Sequence, residues 1–219
     1  MPGHLEEMLM FNLNSPVFRK MEELFDLILL NILFLLTCLP IITIGASLTA
    51  LHTVSMKLAA GDSPYIIRSF FRAFKDNFRQ ATCAWLFMLF VGAFLYVDMG
   101  MAVNGGAAGG LFRIVFGFLM ILFLFEFLYL FPMLSRYRNT LSNLMKNSLV
   151  MALRALPKTI LLAIVFLAPI FMALYGSQEV FLLVAILYLI IGFSVTAGVH
   201  DRIILGIFHY YDELAAQGE

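Results

Sequence analysis

Residues 111–134 read LFRIVFGFLMILFLFEFLYLFPML and include only two charged side chains, Arg113 and Glu126. An α-helix rises about 1.5 Å per residue, so a stretch of this length can cross the roughly 30 Å of hydrocarbon in a lipid bilayer. The sequence therefore predicts an all-α fold whose helices cross a membrane. Three further stretches have the same length and character, at residues 81–103, 156–175 and 180–199.

The composition of the whole chain agrees with this fold class. Of the 219 residues, 62% are hydrophobic and 13% are charged, whereas soluble domains are about half apolar and about a quarter charged. A soluble domain of this size leaves about 30% of its unfolded-chain surface in water, so it cannot hide this excess of apolar side chains. We therefore predict a single integral membrane domain over residues 1–219. The formal net charge of +0 excludes nucleic acid as the main partner, because binding to phosphate backbones requires a basic surplus.

The first apolar region allows two interpretations. Residues 24–45 are long enough to cross the membrane, and residues 46–60 continue as a milder segment with several hydroxyl side chains. Pro40 lacks a backbone donor and disfavours helix at the residue before it, so we expect the first helix to end or kink near Leu39. Gly45 then permits a tight turn or close packing. If residues 46–60 cross, the protein is a bundle of six crossing elements; otherwise it has five.

The positions of lysine and arginine favour six elements. Short cytoplasmic loops of membrane proteins are enriched in these residues, and the loops at residues 61–80 and 135–158 contain four and five of them. Six elements also place Arg19 and Lys20 in the cytoplasm and leave Arg113 as the one basic residue outside. We therefore predict a multi-pass protein with both termini in the cytoplasm.

Both basic loops have helical hydrophobic spacing, which predicts amphipathic interfacial helices at about residues 63–79 and 140–155. In the first, four basic side chains fall within about 60° of one another on a helical wheel, beside a row of phenylalanines. Such a set binds anionic lipid head groups at the bilayer surface or a protein partner in the cytoplasm. We call it the basic stripe; it consists of Arg68, Arg72, Lys75 and Arg79.

A few polar side chains lie inside the predicted spans. A carboxylate in hydrocarbon costs about 3 kcal/mol on insertion scales unless it is paired or faces a cavity, so we expect Glu126 to point into the bundle, within reach of His52 or Asn31. Helical rise places these three residues at about the same depth, roughly 10 to 12 Å. The set is interpreted either as a hydrogen-bonded knot that holds the helices in register or as a proton relay or substrate-lining site. We call it the polar level; it comprises Asn31, His52, Glu126, Ser194 and Thr196.

Motifs for catalysis and for cofactor binding are absent from the sequence. The chain has no HExxH, GxSxG, GxxxxGK or GxGxxG pattern, so zinc protease, hydrolase and nucleotide-binding interpretations lack their residues. The four histidines are too dispersed in sequence for a local ligand set, and Cys38 and Cys83 lie in apolar runs. We therefore expect no enzyme activity, no catalytic residue, no metal site and no cofactor.

Three stretches are similar to one known family. They are Asn14-Ser15-Pro16 before Phe18, LPIITIGA at residues 39–46, and FFRAFKDNF at residues 70–78. With an asparagine-containing apolar helix before the second stretch, the chain resembles the YesL-like family of bacterial integral membrane proteins over essentially its whole length. The resemblance implies a protein of the bacterial plasma membrane with no established biochemical activity, and it supplies no catalytic or ligand-binding residues.

Genes of the YesL-like family often stand beside genes for sugar uptake by ATP-driven transporters and for polysaccharide breakdown. The resemblance therefore implies an accessory role in carbohydrate uptake, with a sugar transporter subunit as the partner. The residues alone leave two alternatives, a secondary carrier that moves a small solute through the polar level and a structural or sensory membrane protein. A polar cavity that reaches the polar level would favour the carrier, and a closed bundle would favour the accessory role.

Overall fold

The computed structural model describes residues 16–62, 64–104 and 109–217, and all regular elements in these ranges are helical. The predicted all-α class is confirmed. A short 3-10 turn, Ile41–Thr43, precedes the second helix, and a π-helical segment, Tyr188–Gly192, precedes the last. The helices are α1 (Pro16–Cys38), α2 (Ile44–Ala59), α3 (Ile66–Asn104), α4 (Gly109–Arg136), α5 (Leu141–Arg154), α6 (Leu156–Tyr175), α7 (Gln178–Leu187) and α8 (Phe193–Gln217).

Five helices of the described chain are long and apolar enough to cross a membrane, so this is a multi-pass membrane protein. They cover Ile41–Ala59, Ile66–Ala102, Gly110–Arg136, Leu156–Tyr175 and Gln178–Glu213, the last of which joins α7, the π segment and α8. Helix α1 is not among them, because Glu22, Glu23 and Asp26 lie in its first half. Its uncharged remainder, residues 27–38, is only about 18 Å long. The arrangement of six crossing elements with both termini in the cytoplasm therefore stays a prediction.

The predicted break at Pro40 is confirmed. Helix α1 ends at Cys38, and the hydroxyl of Thr43 donates a hydrogen bond to the Pro40 carbonyl oxygen at 2.8 Å. The indole nitrogen of Trp85 donates to the carbonyl oxygen of Ile41 at 2.8 Å. These bonds fix the connection between α1 and α2 against α3.

Helix α2 packs against α1, α3, α4 and α8. At its start, a Cβ on Gly45 would clash with the carbonyl oxygen of Ala81 and with Cβ of Trp85, which confirms the predicted close packing at this glycine. The helix then runs back along the first half of α3, where Leu51 and Phe70 share one apolar cluster. Because other helices surround α2, the side chains of Ser47, Thr49 and Ser55 are buried in protein.

The interfacial helix predicted at residues 63–79 is not a separate element. The basic stripe lies on the first half of α3, a continuous helix of 39 residues, which is about 58 Å long at 1.5 Å per residue. The predicted interfacial helix ends at Arg79 and the predicted span begins at residue 81. Gln80 between them is neither proline nor glycine, so the helix continues from one segment into the other. The second predicted interfacial helix, at residues 140–155, corresponds to α5.

The last predicted span, residues 180–199, is part of a longer helical stretch. Helix α8 continues to Gln217 without a break, so His200 and Asp201 lie inside a helix and not at its end. The apolar residues that follow, IILGIF at 203–208, are the sequence signal for this continuation.

Candidate functional site

The side chain of Asn31, which belongs to the polar level, bridges α1 and the π-helical segment and is fully buried. Its amide nitrogen donates to the carbonyl oxygens of Tyr188 at 3.1 Å and Leu189 at 3.0 Å, and its oxygen accepts from the backbone N–H of Ser194 at 3.2 Å. A π-helical turn departs from the i to i−4 hydrogen-bond pattern, and an unpaired backbone group in a membrane costs several kcal/mol. Asn31 therefore stabilises the irregular turn in the last helix.

Two further members of the polar level lie beside this turn. The hydroxyl groups of Thr196 and Tyr188 are 2.8 Å apart, and the hydroxyl of Ser194 donates to the carbonyl oxygen of Ile191 at 2.9 Å. The structure thus brings Asn31, Ser194 and Thr196 together around the π segment, where they form hydrogen bonds within the protein.

His52 pairs with an acid on α8. Its Nδ1 lies 2.7 Å from Oδ1 of Asp201, whose side chain is fully buried. Nδ1 of His200 is 3.7 Å from the same oxygen, and the two imidazole rings are 5.4 Å apart between centroids. Each of the three residues offers a ligand atom within 4.8 Å of the others. We call His52, His200 and Asp201 the His–Asp cluster.

The prediction that the histidines are too dispersed for a local ligand set is wrong. It was based on their separation along the chain, which does not limit which residues meet in the folded protein. His52 and Asp201 are 149 positions apart in sequence but adjacent in space. Several polar atoms of the cluster are buried and have no hydrogen-bond partner among the described residues, namely both ring nitrogens of His200 and Oδ2 of Asp201.

Glu126 is 9% exposed, so it points into the bundle as predicted. Its partner, however, is Ser148 on α5, whose hydroxyl donates to Oε1 at 2.8 Å. The expected pairing with His52 or Asn31 is therefore wrong, since both residues are bonded elsewhere. Helix α5 packs against α4 and brings this hydroxyl to the acid. In the part of the chain that the structure describes, Oε2 of Glu126 has no hydrogen-bond partner.

A cavity of about 380 Å³ opens between α2, α4, α6 and the last two helices. Its polar lining consists of His52, His200, Tyr188 and Thr196, and the rest is aliphatic and aromatic side chains such as Phe131. The cavity that reaches the polar level is therefore largely apolar.

A second, larger concavity lies between the end of α2, the first half of α3 and the connection from α4 to α5, with a volume of about 950 Å³. Its lining includes five cations and one acid, Asp76. Arg136 pairs with Asp212 at 2.9 Å and Arg72 lies 3.8 Å from Asp76, whereas the other three cations form no ion pair with a described residue. We call this concavity the basic groove; its cations are Lys57, Arg68, Arg72, Arg136 and Arg138.

The basic stripe only partly coincides with this groove. Arg68 and Arg72 line it, Lys75 lines an adjoining hollow that also contains Asp26, and Arg79 lines neither. The remaining cations of the groove come from other elements, so the pattern of α3 alone could not have predicted them.

Contacts beside the groove join the end of α4 to α8. Arg136 and the hydroxyl of Tyr137 donate to the two carboxylate oxygens of Asp212, each at 2.9 Å. The ring of Phe208 packs edge-on against Tyr137. Burial, together with the hydrogen bond to the Asp212 carboxylate, raises the pKa of Tyr137 to about 12.

The match to a known family covers part of α1, all of α2 and most of α3. Residues 27–99 match the family described as "Protein of unknown function, DUF624". YesL-like proteins belong to the DUF624 family, so the resemblance inferred from the sequence is confirmed. No curated protein and no solved structure matches the chain. The DUF624 match contains Asn31, the Pro40 break, His52 and the basic stripe.

Residues outside the DUF624 match supply the partners of Asn31 and His52 and part of the basic groove. Asp201 and His200 complete the His–Asp cluster, Ser194 and the π segment are the partners of Asn31, and Arg136 contributes to the basic groove.

Proposed function

We propose that this protein is an accessory component for carbohydrate uptake by an ATP-driven transporter of the bacterial plasma membrane, and that it docks on a transporter subunit through the basic groove. The link to carbohydrate uptake comes from the YesL-like resemblance. The observation that carries the docking role is the groove itself, which gathers cations from three separate parts of the chain.

The charges of the groove favour an acidic protein surface as the partner. Lys57, Arg68 and Arg138 form no ion pair with a described residue, and Asp76 is the one acid in the lining. Complementary charges steer a partner into register and exclude wrong partners. By the distribution of lysine and arginine, this surface faces the cytoplasm, where the ATP-hydrolysing subunits of such transporters lie.

The polar level does not favour the alternative of a carrier for a hydrophilic solute. Asn31 is bonded to the π segment, Glu126 to Ser148 and His52 to Asp201. The cavity that reaches this level is largely apolar, whereas a sugar needs polar groups to replace its bound water.

A photocrosslinking experiment tests the docking role. Tyr65, at the rim of the groove, is 84% exposed, and Tyr96, on the second half of α3, is 75% exposed. Each is replaced in turn by p-benzoylphenylalanine in the native host, the cells are irradiated during growth on a polysaccharide, and crosslinked species are identified by mass spectrometry. We expect position 65 to crosslink to a sugar transporter subunit and position 96 not to do so.

The charges of the groove are tested in the same assay. Replacing Arg68 and Arg72 by glutamine together should lower the yield of the crosslink from position 65 at least fivefold, without a change in the amount of membrane-inserted protein. Crosslinks from position 65 to lipid alone, or no crosslink, would contradict the proposal, and the lipid result would assign the groove to anionic head groups instead.

A further inference from the structure

Two histidines and one aspartate meet inside the bundle where α2 crosses α8. His52 is 9% exposed, His200 5% and Asp201 0%. The oxygen Oδ1 of Asp201 lies 2.7 Å from Nδ1 of His52 and 3.7 Å from Nδ1 of His200. In a tetrahedral zinc site, two ligand atoms that each lie about 2.0 to 2.1 Å from the ion are about 3.3 Å from each other. The two observed distances lie on either side of that value.

We propose that His52, His200 and Asp201 bind a divalent first-row transition-metal ion of the Zn²⁺ type. Imidazole nitrogen with one carboxylate oxygen is a donor set that suits such ions and not Mg²⁺ or Ca²⁺, which prefer oxygen ligands throughout. The His–Asp cluster shares no residue with the basic groove, so this site is independent of the docking role.

The buried carboxylate of Asp201 needs a compensating positive charge. Asp201 is fully buried, and among the described residues its ion-pair partners are the two histidines alone. Removing an unpaired carboxylate from water is costly, so buried charges in proteins are paired or coordinate metals. With both imidazoles neutral, the cluster carries one uncompensated negative charge.

A proton on His52 compensates that charge but leaves the other features unexplained. Both ring nitrogens of His200 and Oδ2 of Asp201 are buried without a hydrogen-bond partner, and such atoms are rare in folded proteins. A metal ion supplies the missing partner of His200, because one of its ring nitrogens becomes a ligand. The ion would also take the place of the hydrogen between Nδ1 of His52 and Asp201. A neutral His52 would then carry its hydrogen on Nε2, whereas an imidazolium would release one proton on binding.

The cavity beside the cluster provides space next to the proposed ligands. Its volume is about 380 Å³, and both His52 and His200 line it. Three protein ligands leave one position of a tetrahedral ion open to a further ligand. The space exceeds what a water molecule needs, so water or a small ligand can complete the coordination.

The test is stoichiometric metal binding by the purified full-length protein. The protein is prepared in detergent without a polyhistidine tag, stripped with a chelator, incubated with Zn²⁺ and desalted, and the retained zinc is measured by mass spectrometry. We expect about one Zn²⁺ per chain, and a rise in the thermal unfolding temperature with Zn²⁺ but not with Mg²⁺. Asp201→Asn and His200→Gln should each weaken binding at least tenfold.

His209→Gln is the matched control, because His209 lies on the same helix and is exposed; this variant should bind Zn²⁺ like the wild type. Should the cluster variants fail to fold, Co²⁺ bound to the wild type provides an independent measurement, through the visible absorption bands of a four-coordinate ion. The proposal is overturned if the wild type retains no stoichiometric Zn²⁺ and shows no such Co²⁺ bands. It is also overturned if folded cluster variants bind as tightly as the His209 variant.

Discussion

The side-chain oxygen of Asn31 accepts a hydrogen bond from the backbone N–H of Ser194, 163 positions further along the chain, at 3.2 Å. The same side chain donates to two carbonyl oxygens of the π-helical segment. One amide thus satisfies three backbone groups of a distant helix. The DUF624 match includes Asn31 but ends before the turn that Asn31 holds.

Replacement of Asn31 by leucine should destabilise the protein. The change removes the three hydrogen bonds of this side chain, and an unsatisfied buried polar group costs about 1 to 3 kcal/mol. We expect the thermal unfolding temperature in detergent to fall clearly below that of the wild type. Asn147→Leu on the exposed face of α5 is the control and should leave it unchanged. Equal unfolding temperatures for the two variants would contradict the structural role of Asn31.

Gly45→Ala should weaken the contact between α2 and α3. A Cβ at this position would clash with backbone and Cβ atoms of α3, and overpacking of this kind costs about 1 to 3 kcal/mol. Gly117→Ala on α4 is the matched control, because its Cβ would meet no atom within 4 Å. Alanine is the better helix former, so the control should unfold at the same temperature as the wild type or higher. A Gly45→Ala variant as stable as the control would show that the helices can separate without cost.

Glu126→Leu should be as stable as the wild type or more stable. The acid is buried, one of its oxygens has no partner, and the hydroxyl of Ser148 can donate to the carbonyl oxygen of Met145 at 2.8 Å instead. Replacing a buried polar group that is only partly hydrogen-bonded by an apolar side chain is often neutral or favourable. Thermal unfolding of Glu126→Leu and Glu126→Gln checks this, and a strong loss in the leucine variant alone would show that the carboxylate is needed for structure.

The stability of the protein should depend on Tyr137 in alkaline solution. Its pKa of about 12 in the folded protein lies above the ordinary value near 10, so folding favours the neutral phenol. This contribution is complete below about pH 10 and is lost as the pH rises through about 12. Between these values the unfolding temperature should fall more steeply for the wild type than for Tyr137→Phe. Tyr65→Phe, at an exposed tyrosine, should follow the wild type, and parallel curves for all three proteins would contradict the prediction.

The predicted topology places the two basic loops in the cytoplasm and the connector between α3 and α4 outside. In a background with Cys38 and Cys83 replaced by alanine, single cysteines are introduced at Ala107, Ser69 and Asn143. A membrane-impermeant maleimide should label intact cells at Ala107 alone, and all three positions after permeabilisation. Labelling of Ser69 or Asn143 in intact cells would reverse the assignment of sides.

The sequence by itself determined the class of protein and most of the helices. Long apolar runs, a proline that ends a helix at Cys38 and a glycine where two helices meet are local properties, since hydrocarbon thickness and backbone geometry act on each segment separately. Burial of Glu126 was predictable for a similar reason, because the cost of a charge in lipid does not depend on which neighbour removes it.

The tertiary structure alone decided which polar groups meet. Counting residues along each helix places Asn31, His52 and Glu126 at one depth in the bilayer. The count does not show in which direction a side chain points or which helices pack together. The three residues therefore have three different partners, a π-helical turn, Asp201 and Ser148. The His–Asp cluster and the basic groove likewise combine residues from helices far apart in sequence, and only the packing of those helices brings them together.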